Sequence, residues 1–405
     1  MGKCKVAFVG LGYRGTIHLK NTMLSERAEI VALCDLDQAL LLQSVDLCQE
    51  NGYVVDFYTD FHKMCEQLAG QMDAVIISAS WQQSLKIAKT FIAKQIYVGL
   101  EVTVVGSVAE CVQMYEFTKQ HGDHLFVLEN VCYRQDVMAI NNMVKAGVFG
   151  EIVHAQCGYK HDLRPVLFGS EKLKFGNGAT GEAAWRTPYY LDQNADLYPH
   201  HGLGPICTML GIGYQNYFTS ITSFATKGIG IATYLKDLGG EHHPYLDLSF
   251  SLGDVITSVL QTSNGQTVVV HHDILSPRPY SLGFTLQGNK GIWEEHAQSV
   301  ICLQEHHQEH RWQEAEQVYE PYIDSLWRVN EEAAKKSARH QMDYIMLIDF
   351  LDTVLKKSKP RYGVLDWAIW SMITPLSARS IERGNQKIPF PKIVEYEHRV
   401  TAAIF

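Results

Sequence analysis

The amino-acid sequence predicts an α/β protein: an N-terminal doubly wound parallel sheet of the Rossmann type, then an α+β domain with a large, mainly antiparallel open sheet. Up to about residue 130, short β-branched runs alternate with helical segments. A glycine-rich turn at residues 10–15 follows the first of these runs. After residue 150 the runs become longer and alternate between apolar and polar residues. We therefore predict two domains, residues 1–130 and 131–405.

Strands and helices alternate in the first domain. Apolar, β-branched runs predict strands, and apolar residues at helical spacing predict helices. The predicted strands are Val6–Val9, Ile30–Cys34, Ala74–Ser78, Ile96–Gly99 and Leu125–Leu128. The predicted helices between them include Ser84–Ala93 and Glu110–Gln120. Strands that alternate with helices in this way indicate a parallel sheet.

The second domain begins with strands and ends with helices. The predicted strands are Ile152–Tyr159, Thr219–Phe224, Leu246–Leu252, Val255–Thr262 and Thr267–His272. Two helices, Gln341–Lys356 and Val364–Arg383, are predicted near the end of the chain. The polar stretch between residues 304 and 339 predicts one or two surface helices.

The composition is that of an ordinary globular chain. Its 405 residues are 46% hydrophobic and 20% charged, with a net charge of -9. Because there is no run of Lys or Arg, we expect no nucleic-acid partner, and a small-molecule substrate is favoured. No apolar run is long enough to span a bilayer, so we expect no membrane partner.

The expected location is the cytoplasm. The first predicted strand begins within a few residues of Met1, which leaves no room for a signal peptide; a leader that has been removed is the alternative. The nine cysteines are scattered, and none forms a Cys-x-x-Cys pair. This pattern is typical of reduced, buried thiols.

The glycine turn predicts a dinucleotide site. Gly10, Gly12 and Gly15 follow a strand and precede a helix, where they allow a diphosphate to approach the helix N-terminus. Asp35 ends the second predicted strand, where it can accept hydrogen bonds from ribose hydroxyls and would repel a 2′-phosphate. The pattern therefore favours NAD over NADP, and a tight turn without a ligand is the alternative.

A second segment carries proton-transfer side chains. In Tyr198-Pro-His-His-Gly-Leu-Gly-Pro205, Tyr198 and His201 lie three residues apart at a predicted helix start. A histidine ordinarily titrates near neutrality, which suits a general base. The alternative is that His201 only caps the helix.

The segment Glu305-His-His-Gln-Glu-His310 invites comparison with a metal site. His306 and His310 would share one face of a helix. No third ligand is spaced to complete a site, and a solvated polar face explains the same residues. We therefore predict no metal.

The chain resembles the glucose-fructose oxidoreductase and inositol dehydrogenase (Gfo/Idh/MocA) superfamily, which joins such a nucleotide domain to an open, sheet-based substrate domain. Most members carry Glu-Lys-Pro after the strand equivalent to Ile96–Gly99, and that lysine serves dehydrogenation. Here the sequence is Glu101-Val102-Thr103, without a lysine. An ordinary sugar dehydrogenase is therefore disfavoured.

Glu-Val at this point is usual in one branch, glycoside hydrolase family 109, the NAD-dependent α-N-acetylgalactosaminidases, which the chain resembles over essentially its whole length. The matching segments are Glu129-Asn-Val-Cys-Tyr133, Phe149-Gly-Glu-Ile-Val-His-Ala155, Gly158-Tyr-Lys-His-Asp-Leu-Arg164, Trp185-Arg186, Tyr198 to Pro205, Pro277-Arg-Pro-Tyr-Ser281, Met342-Asp343 and Trp370-Ser-Met-Ile-Thr-Pro-Leu-Ser377.

The resemblance implies hydrolysis without net redox change. A hydride passes from sugar C3 to NAD+, which acidifies the hydrogen on C2. A base removes that hydrogen, the group at C1 is expelled, water adds to the unsaturated intermediate, and the hydride returns to C3. The expected substrate is an N-acetylhexosaminide-type glycoside.

The resemblance also assigns roles. His201, beside Tyr198, would take the C3 hydroxyl proton, and Tyr159 would take the proton from C2. Because the phenol pKa of a tyrosine is about 10, Tyr159 would need a cationic neighbour, for which Arg186 is a candidate. Glu129, Arg186 and Tyr280 are carried over as substrate-binding residues. The further cofactor-binding residues are Tyr13, Arg14, Trp81, Ser84, Glu101, Val102 and Asn130.

Three departures from the family pattern concern the sites. Trp81-Gln-Gln-Ser84 replaces Trp-x-Trp-His, His200 replaces a threonine, and Asn194-Ala195-Asp196 replaces Asn-Gly-Asn. His200 could donate to a different sugar substituent or change the pKa of His201 by like-charge coupling. These changes bear on the substrate more than on the reaction type.

Two other functions stay open at this point. The first is an NAD-dependent sugar dehydrogenase, since it would use the same fold and cofactor. The second is a catalytically silent sugar-binding protein that retains NAD. Superfamily members commonly associate through the open sheet, so the resemblance also implies a homo-oligomer.

Overall fold

A computed structural model describes residues 2–168, 179, 181–239, 250–304 and 311–393. Within these residues the chain forms two compact units. The first contains Met1–Thr103, Ala109–Gln135 and Asp324–Ala368. The second contains Val104–Val108, Asp136–Ile323 and Ile369–Phe405. The first unit therefore includes a late segment of the chain in addition to the N-terminal residues.

Residues 4–133 form strands and helices in alternation. The strands are β1 (Cys4–Val9), β2 (Ala28–Cys34), β3 (Asp56–Tyr58), β4 (Ala74–Ile77), β5 (Tyr97–Leu100) and β6 (Leu125–Val127). The helices are α1 (Tyr13–Ser25), α2 (Gln38–Glu50), α3 (Phe61–Leu68), α4 (Trp81–Ile92) and α5 (Val108–Gln120), followed by a 3-10 helix at Asn130–Tyr133. In the described residues the strands form one six-stranded parallel sheet in the order β3-β2-β1-β4-β5-β6. The predicted Rossmann-type sheet is confirmed.

Residues 135–319 form the second unit's main elements. The helices are α6 (Gln135–Lys145), α7 (Arg164–Phe168), α8 (Glu182–Trp185), α9 (Thr187–Asp192), α10 (His200–Leu210), α11 (Gly230–Gly239) and α12 (Ala315–Tyr319). The strands are β7 (Ile152–Lys160), β8 (Phe218–Ala225), β9 (Val255–Thr262), β10 (Thr267–Asp273), β11 (Thr285–Gly288), β12 (Gly291–Glu295), β13 (Ser299–Leu303) and β14 (Gln313–Glu314).

The last described elements belong to both units. They are a 3-10 helix at Glu320–Tyr322, α13 (Ser325–Ala334), α14 (Gln341–Lys356), α15 (Val364–Ser371), α16 (Ile373–Glu382) and β15 (Ile388–Pro389). The nine strands from β7 onward that are described form one sheet in the order β14-β13-β12-β11-β7-β10-β9-β8-β15. Only the pair of β7 and β10 is parallel among them, so the prediction of a mainly antiparallel sheet is confirmed.

Strand burial follows the position of each strand. All four residues of β4 are buried, as expected for a central parallel strand covered on both faces. In β9, buried and partly exposed residues alternate, so one face packs inward and the other is open. The face of β7 that carries Tyr159 is the inward one, and α10 packs on this strand.

The chain differs from the sequence prediction at three places. The predicted strand Leu246–Leu252 lies partly outside the described residues, and its last three residues are not a strand, because Ser251 and Leu252 donate backbone hydrogen bonds to α9. The predicted helix over 364–383 is two helices, since Pro375 has no N–H with which to continue the bonding from Ser371. Helix α14, predicted within residues 131–405, lies in the first unit.

The contact of α10 with β7 leaves no room for a side chain. A Cβ atom on Gly202 would lie 2.7 Å from the backbone nitrogen of Gly158. We expect Gly202→Ala to lower the free energy of unfolding by about 2 kcal/mol, because the helix must move away from the strand. Urea unfolding followed by circular dichroism measures the change. Gly213→Ala is the matched control, since a Cβ there meets nothing within 4 Å; equal stability of the two variants would contradict the tight contact.

Candidate active site and cofactor site

The glycine turn is shaped by backbone contacts. Gly10 has φ +88°, and a Cβ on it would lie 2.5 Å from the carbonyl oxygen of Ser78. A Cβ on Gly15 would overlap the carbonyl oxygen of Gly10. Gly12 is the N-cap residue of α1 and makes no side-chain capping bond. The N–H groups that open α1 are thus available to an anion, and the turn fits the diphosphate of a dinucleotide.

Asp35 connects this turn to the end of β2. Its Oδ2 accepts a hydrogen bond from the Leu11 N–H at 2.6 Å, and its Oδ1 accepts one from the Asp37 N–H at 2.8 Å. Each carboxylate oxygen can accept more than one hydrogen bond. Binding of ribose hydroxyls by Asp35 stays a prediction, and the arrangement is compatible with it.

Arg14 and Glu101 are part of a buried polar network. Arg14 Nε donates to Glu101 Oε1 at 2.8 Å, and Arg14 Nη2 lies 3.1 Å from Asp343 Oδ1. Glu101 Oε1 also contacts His18 Nε2 at 2.7 Å, and Asn130 Nδ2 donates to Asp343 Oδ1 at 2.7 Å. Burial would raise the pKa of both carboxyls, but the Arg14 guanidinium holds each pKa below its usual range. Both acids are therefore ionised.

The other predicted cofactor residues differ in accessibility. Trp81 and Ser84 are buried at the start of α4, and the Ser84 hydroxyl donates to the carbonyls of Ala79 and Ser80. The Val102 N–H donates to Glu101 Oε2 at 3.1 Å. By contrast, Tyr13 is 65% exposed. Their contact with NAD stays a prediction; the Ser84 side chain is committed to the first turn of its helix.

Three aromatic side chains meet in the second unit. Tyr159 is on β7, Tyr198 precedes α10, and His201 is in its first turn. The ring centroids of Tyr159 and Tyr198 are 4.6 Å apart, those of Tyr159 and His201 are 5.5 Å apart, and those of Tyr198 and His201 are 4.9 Å apart. Tyr159 lies 39 positions before Tyr198 and 42 before His201 in the sequence, yet the three side chains form one cluster. Such a cluster can exchange protons with a ligand.

Arg186 supplies the positive charge of this cluster. It is 5% exposed, its Cζ lies 5.0 Å from the centroid of the Tyr198 ring, and it donates to the Glu182 carboxylate at 2.7 Å. Arg186 does lower the pKa of Tyr159, as expected. However, burial raises the pKa of the Tyr159 phenol by more, so that the net shift is upward. The phenol is therefore protonated at rest.

Two histidines that were not predicted as site residues, His161 and His272, also lie beside Tyr159. Tyr159 Oη lies 3.3 Å from His161 Nδ1, and the rings of His161 and Tyr280 are 5.2 Å apart. His272 on β10 pairs with Tyr159 in the sheet, and burial, with a smaller effect of Arg186, lowers its pKa to about 3. The sequence could have indicated His161, because it lies two positions after Tyr159 and alternate residues of a strand share a face.

The two other predicted substrate-binding residues occupy different surroundings. Tyr280 is 47% exposed, and its ring centroid is 6.2 Å from that of Tyr159. Glu129 belongs to the first unit and is fully buried, where its carboxylate accepts a hydrogen bond from the Val131 N–H at 3.0 Å. The structure thus brings Tyr280 to the aromatic cluster and gives Glu129 a helix-capping contact.

His200 is enclosed beside Ser371 and Trp370. The side chain is fully buried, its Nε2 lies 3.1 Å from the Ser371 hydroxyl, and its ring lies 6.1 Å from that of Trp370. Burial lowers the pKa of His200 to about 3, with a smaller contribution from His201. A neutral imidazole places no charge beside His201. Donation from His200 to a sugar substituent stays a prediction.

Asp196 fixes the backbone just before the cluster. It is 1% exposed, its Oδ1 accepts a hydrogen bond from the Tyr198 N–H at 3.1 Å, and its own N–H donates to Ser377. Its carbonyl accepts a hydrogen bond from Thr374 at 2.7 Å. Burial raises the pKa of Asp196 to about 7, although the bond from Tyr198 offsets part of the rise.

Other predicted features can be placed only in part. His306 and His310 lie outside the described residues, and the described part of the chain holds no group of three potential metal ligands. All nine cysteines are free thiols, and all except Cys302 are buried. Among the residues described, no helix is both long and apolar enough to cross a membrane.

Comparisons with known proteins agree with this organisation. Residues 133–398 match the family model for the glycosyl hydrolase 109 C-terminal domain, and residues 4–129 match the oxidoreductase family with an NAD-binding Rossmann fold. The chain is 37% identical to an alpha-N-acetylgalactosaminidase of Tannerella forsythia over 99% of its own length and 89% of the relative. It is 37% identical to a glycosyl hydrolase family 109 protein of Parabacteroides distasonis over 96% of this chain and 86% of that one.

Solved structures show the same fold. A levoglucosan dehydrogenase in complex with NADH and levoglucosan has a TM-score of 0.71 at 13% identity, covering 96% of this chain and 100% of that chain. An inositol dehydrogenase homologue of Azotobacter vinelandii complexed with NAD+ has a TM-score of 0.71 at 14% identity, with coverage of 96% and 98%. At such identities the likeness shows the fold alone.

The buried Asp196 should make stability depend on pH. Its pKa is about 7 in the folded protein against an ordinary 3.8, so the folded state holds a proton that the unfolded state releases between these values. Stability is therefore lost as the pH rises from about 4 to about 7. We expect Asp196→Asn to gain stability relative to the unaltered protein over this range, approaching about 4 kcal/mol above pH 7.

Urea unfolding of both proteins at several pH values measures this difference. Other groups titrate alike in the two proteins, so only Asp196 changes the gap between the curves. Curves that stay parallel from pH 4 to pH 8 would show that Asp196 ionises equally in the folded and unfolded states.

Proposed function

The chain belongs to glycoside hydrolase family 109 and is an NAD-dependent glycoside hydrolase, and from this premise we propose that it acts on an N-acetylhexosaminide-type glycoside. The supporting relative is named as an alpha-N-acetylgalactosaminidase, and the similarity extends over both chains. The observation that carries the proposal is the clustering of Tyr159, Tyr198 and His201 on β7 and α10.

The proposed reaction has no net redox change. The sugar is oxidised at C3, which acidifies the C2 hydrogen; loss of this hydrogen expels the C1 substituent, and water then adds at C1 while C2 is reprotonated. Reduction at C3 completes the cycle. The bound dinucleotide supplies the acceptor and later the donor of the C3 hydride.

His201 is the proposed base for the C3 hydroxyl. The imidazole lies at the N-terminal end of α10, and its ring is perpendicular to that of Tyr198 at 4.9 Å. The Arg186 guanidinium lies over the ring of Tyr198, so a positive charge is close to Tyr198 and His201. A negative charge that develops on the sugar oxygen is stabilised by such a charge in a site shielded from water.

Tyr159 is the proposed group for proton transfer at C2. The phenol is protonated at rest because burial raises its pKa, so it first needs an acceptor for its own proton. His161 offers one, since its Nδ1 lies 3.3 Å from Tyr159 Oη. Arg186 then stabilises the phenolate, because its charge lowers the Tyr159 pKa. Tyr159 can return the proton to C2 when water adds to C1.

A single experiment tests both substrate and route. The purified protein with NAD+ is incubated with aryl α- and β-glycosides in heavy water, and released phenol and deuterium at sugar C2 are followed together. We expect release from an N-acetylhexosaminide with C2 deuteration and without accumulation of NADH. Accumulation of NADH without phenol would indicate a dehydrogenase, and binding without turnover would indicate a silent sugar-binding protein.

Replacement of His201 tests its role. We expect His201→Ala to lower kcat by about 10²- to 10⁴-fold, because the general base is lost, while the affinity for NAD+ is retained. Phenol release and NAD+ calorimetry provide the two readouts. His154→Ala is the matched control: this histidine is on the same strand as Tyr159 but, five positions earlier, on its opposite face. An active His201 variant would remove this residue from the mechanism.

A further inference from the structure

The buried network around Arg14 has more hydrogen-bonding capacity than its members use. Asp343 Oδ2, Asn130 Oδ1 and Arg14 Nη1 are buried and have no hydrogen-bond partner among the described residues. Asp343 is fully buried, and Asn130 is 3% exposed. Burial of an unpartnered polar atom is costly, most of all for a charged group. The two free oxygens therefore call for donors from a bound molecule.

The position of the network in the sheet identifies that molecule. Glu101 directly follows β5, and Asn130 lies three residues after β6. In the order β3-β2-β1-β4-β5-β6, the glycine turn at the end of β1 is central, and Asp35 at the end of β2 is on the adenosine side. The second half of such a sheet takes the second nucleotide of a dinucleotide. The network is therefore on the side of the nicotinamide riboside.

The network places two carboxylates around one guanidinium. The Arg14 guanidinium is shared between two carboxylates, those of Glu101 and Asp343, which it keeps ionised by holding each pKa low. One guanidinium thus faces two carboxylates, and the Asp343 carboxylate carries a negative charge of its own. Asp343 is inaccessible to solvent, so that mobile ions screen this charge little.

We propose that Asp343 and Asn130 bind N–H or O–H donors of the nicotinamide riboside, and that the charge of Asp343 makes the site favour NAD+ over NADH. The nicotinamide ring is cationic when oxidised and neutral when reduced, so the attraction between the Asp343 carboxylate and a ring charge exists only for NAD+. Such a site would keep the cofactor ready to accept a hydride. This inference rests on NAD binding and does not require the glycosidase reaction proposed above.

The full-length protein, freed of nucleotide, provides the test. NAD+ binding is measured by calorimetry and NADH binding by its fluorescence. We expect Asp343→Asn to lower the affinity for NAD+ about tenfold and the affinity for NADH less than about threefold, because only the cationic ring loses an attraction to the carboxylate. An equal loss of affinity for NAD+ and NADH would show that Asp343 only positions the cofactor, and it would overturn the proposed preference for NAD+. Unchanged affinity for both would overturn the site.

Asn130→Ala is the matched control. This variant removes an amide oxygen from the network and leaves the charge of the network unchanged. We therefore expect the affinities for NAD+ and NADH to fall by the same factor. A selective loss of NAD+ in this variant would contradict the assignment of the preference to charge. Thermal unfolding without nucleotide shows whether each variant is folded.

Two measurements on the unaltered protein complete the test. Should Asp343→Asn not fold, the ratio of the two dissociation constants decides: tighter binding of NAD+ supports the proposal, and tighter binding of NADH overturns it. The 3-acetylpyridine analogue of NAD+ lacks the amide N–H donors but keeps the ring charge. Weaker binding of this analogue assigns the donors to the carboxamide, and unchanged binding assigns them to the ribose hydroxyls.

Discussion

The contact between two glycines, Gly158 on β7 and Gly202 on α10, determines the geometry of the second unit. Because Gly202 has no side chain, the helix backbone approaches the strand backbone so closely that a Cβ on Gly202 would meet three Gly158 atoms within 3.0 Å. A Cβ on Gly158 would instead meet His271 on the neighbouring strand β10. Tyr159 follows the first glycine and His201 precedes the second. The proton-transfer groups are therefore neighbours because the main chains that carry them are in contact, and their separation cannot change without disturbing the sheet.

Burial determines the charge state of the groups around this contact. His200 and His272 are enclosed without an acidic partner near enough to hold a proton on them, and the pKa of each falls to about 3. Arg186 keeps its charge in the same interior because Glu182 and three phenols, those of Tyr159, Tyr190 and Tyr198, surround it. The cluster thus contains one permanent cation beside the protonated phenol of Tyr159. In a medium of low dielectric constant, that cation acts on any anion formed during turnover more strongly than it would in water.

The sheets and the glycine turn could be predicted from the sequence, because strand alternation and glycine spacing are properties of short segments. The site depended on longer-range information. The resemblance nominated Tyr159, Tyr198 and His201, but the upward pKa shift of Tyr159 depends on burial that the sequence does not display. The neutral state of His200 depends on burial in the same way. Asp343 was part of a matching motif without a role, because its partner Arg14 is 329 residues away and only folding brings the two together.

Helix α14 has a further consequence for the order in which the protein is made. Phe350 of this helix packs against Phe126 and over Gly99, and Asp349 accepts a hydrogen bond from Tyr133, so that the helix completes the core of the first unit. A ribosome adds about 5–20 residues per second, and roughly two hundred residues separate β6 from α14. A nascent nucleotide unit must therefore wait on the order of ten seconds or more for its last helix. During that interval the apolar surface of Phe126 that Phe350 later covers lacks its partner.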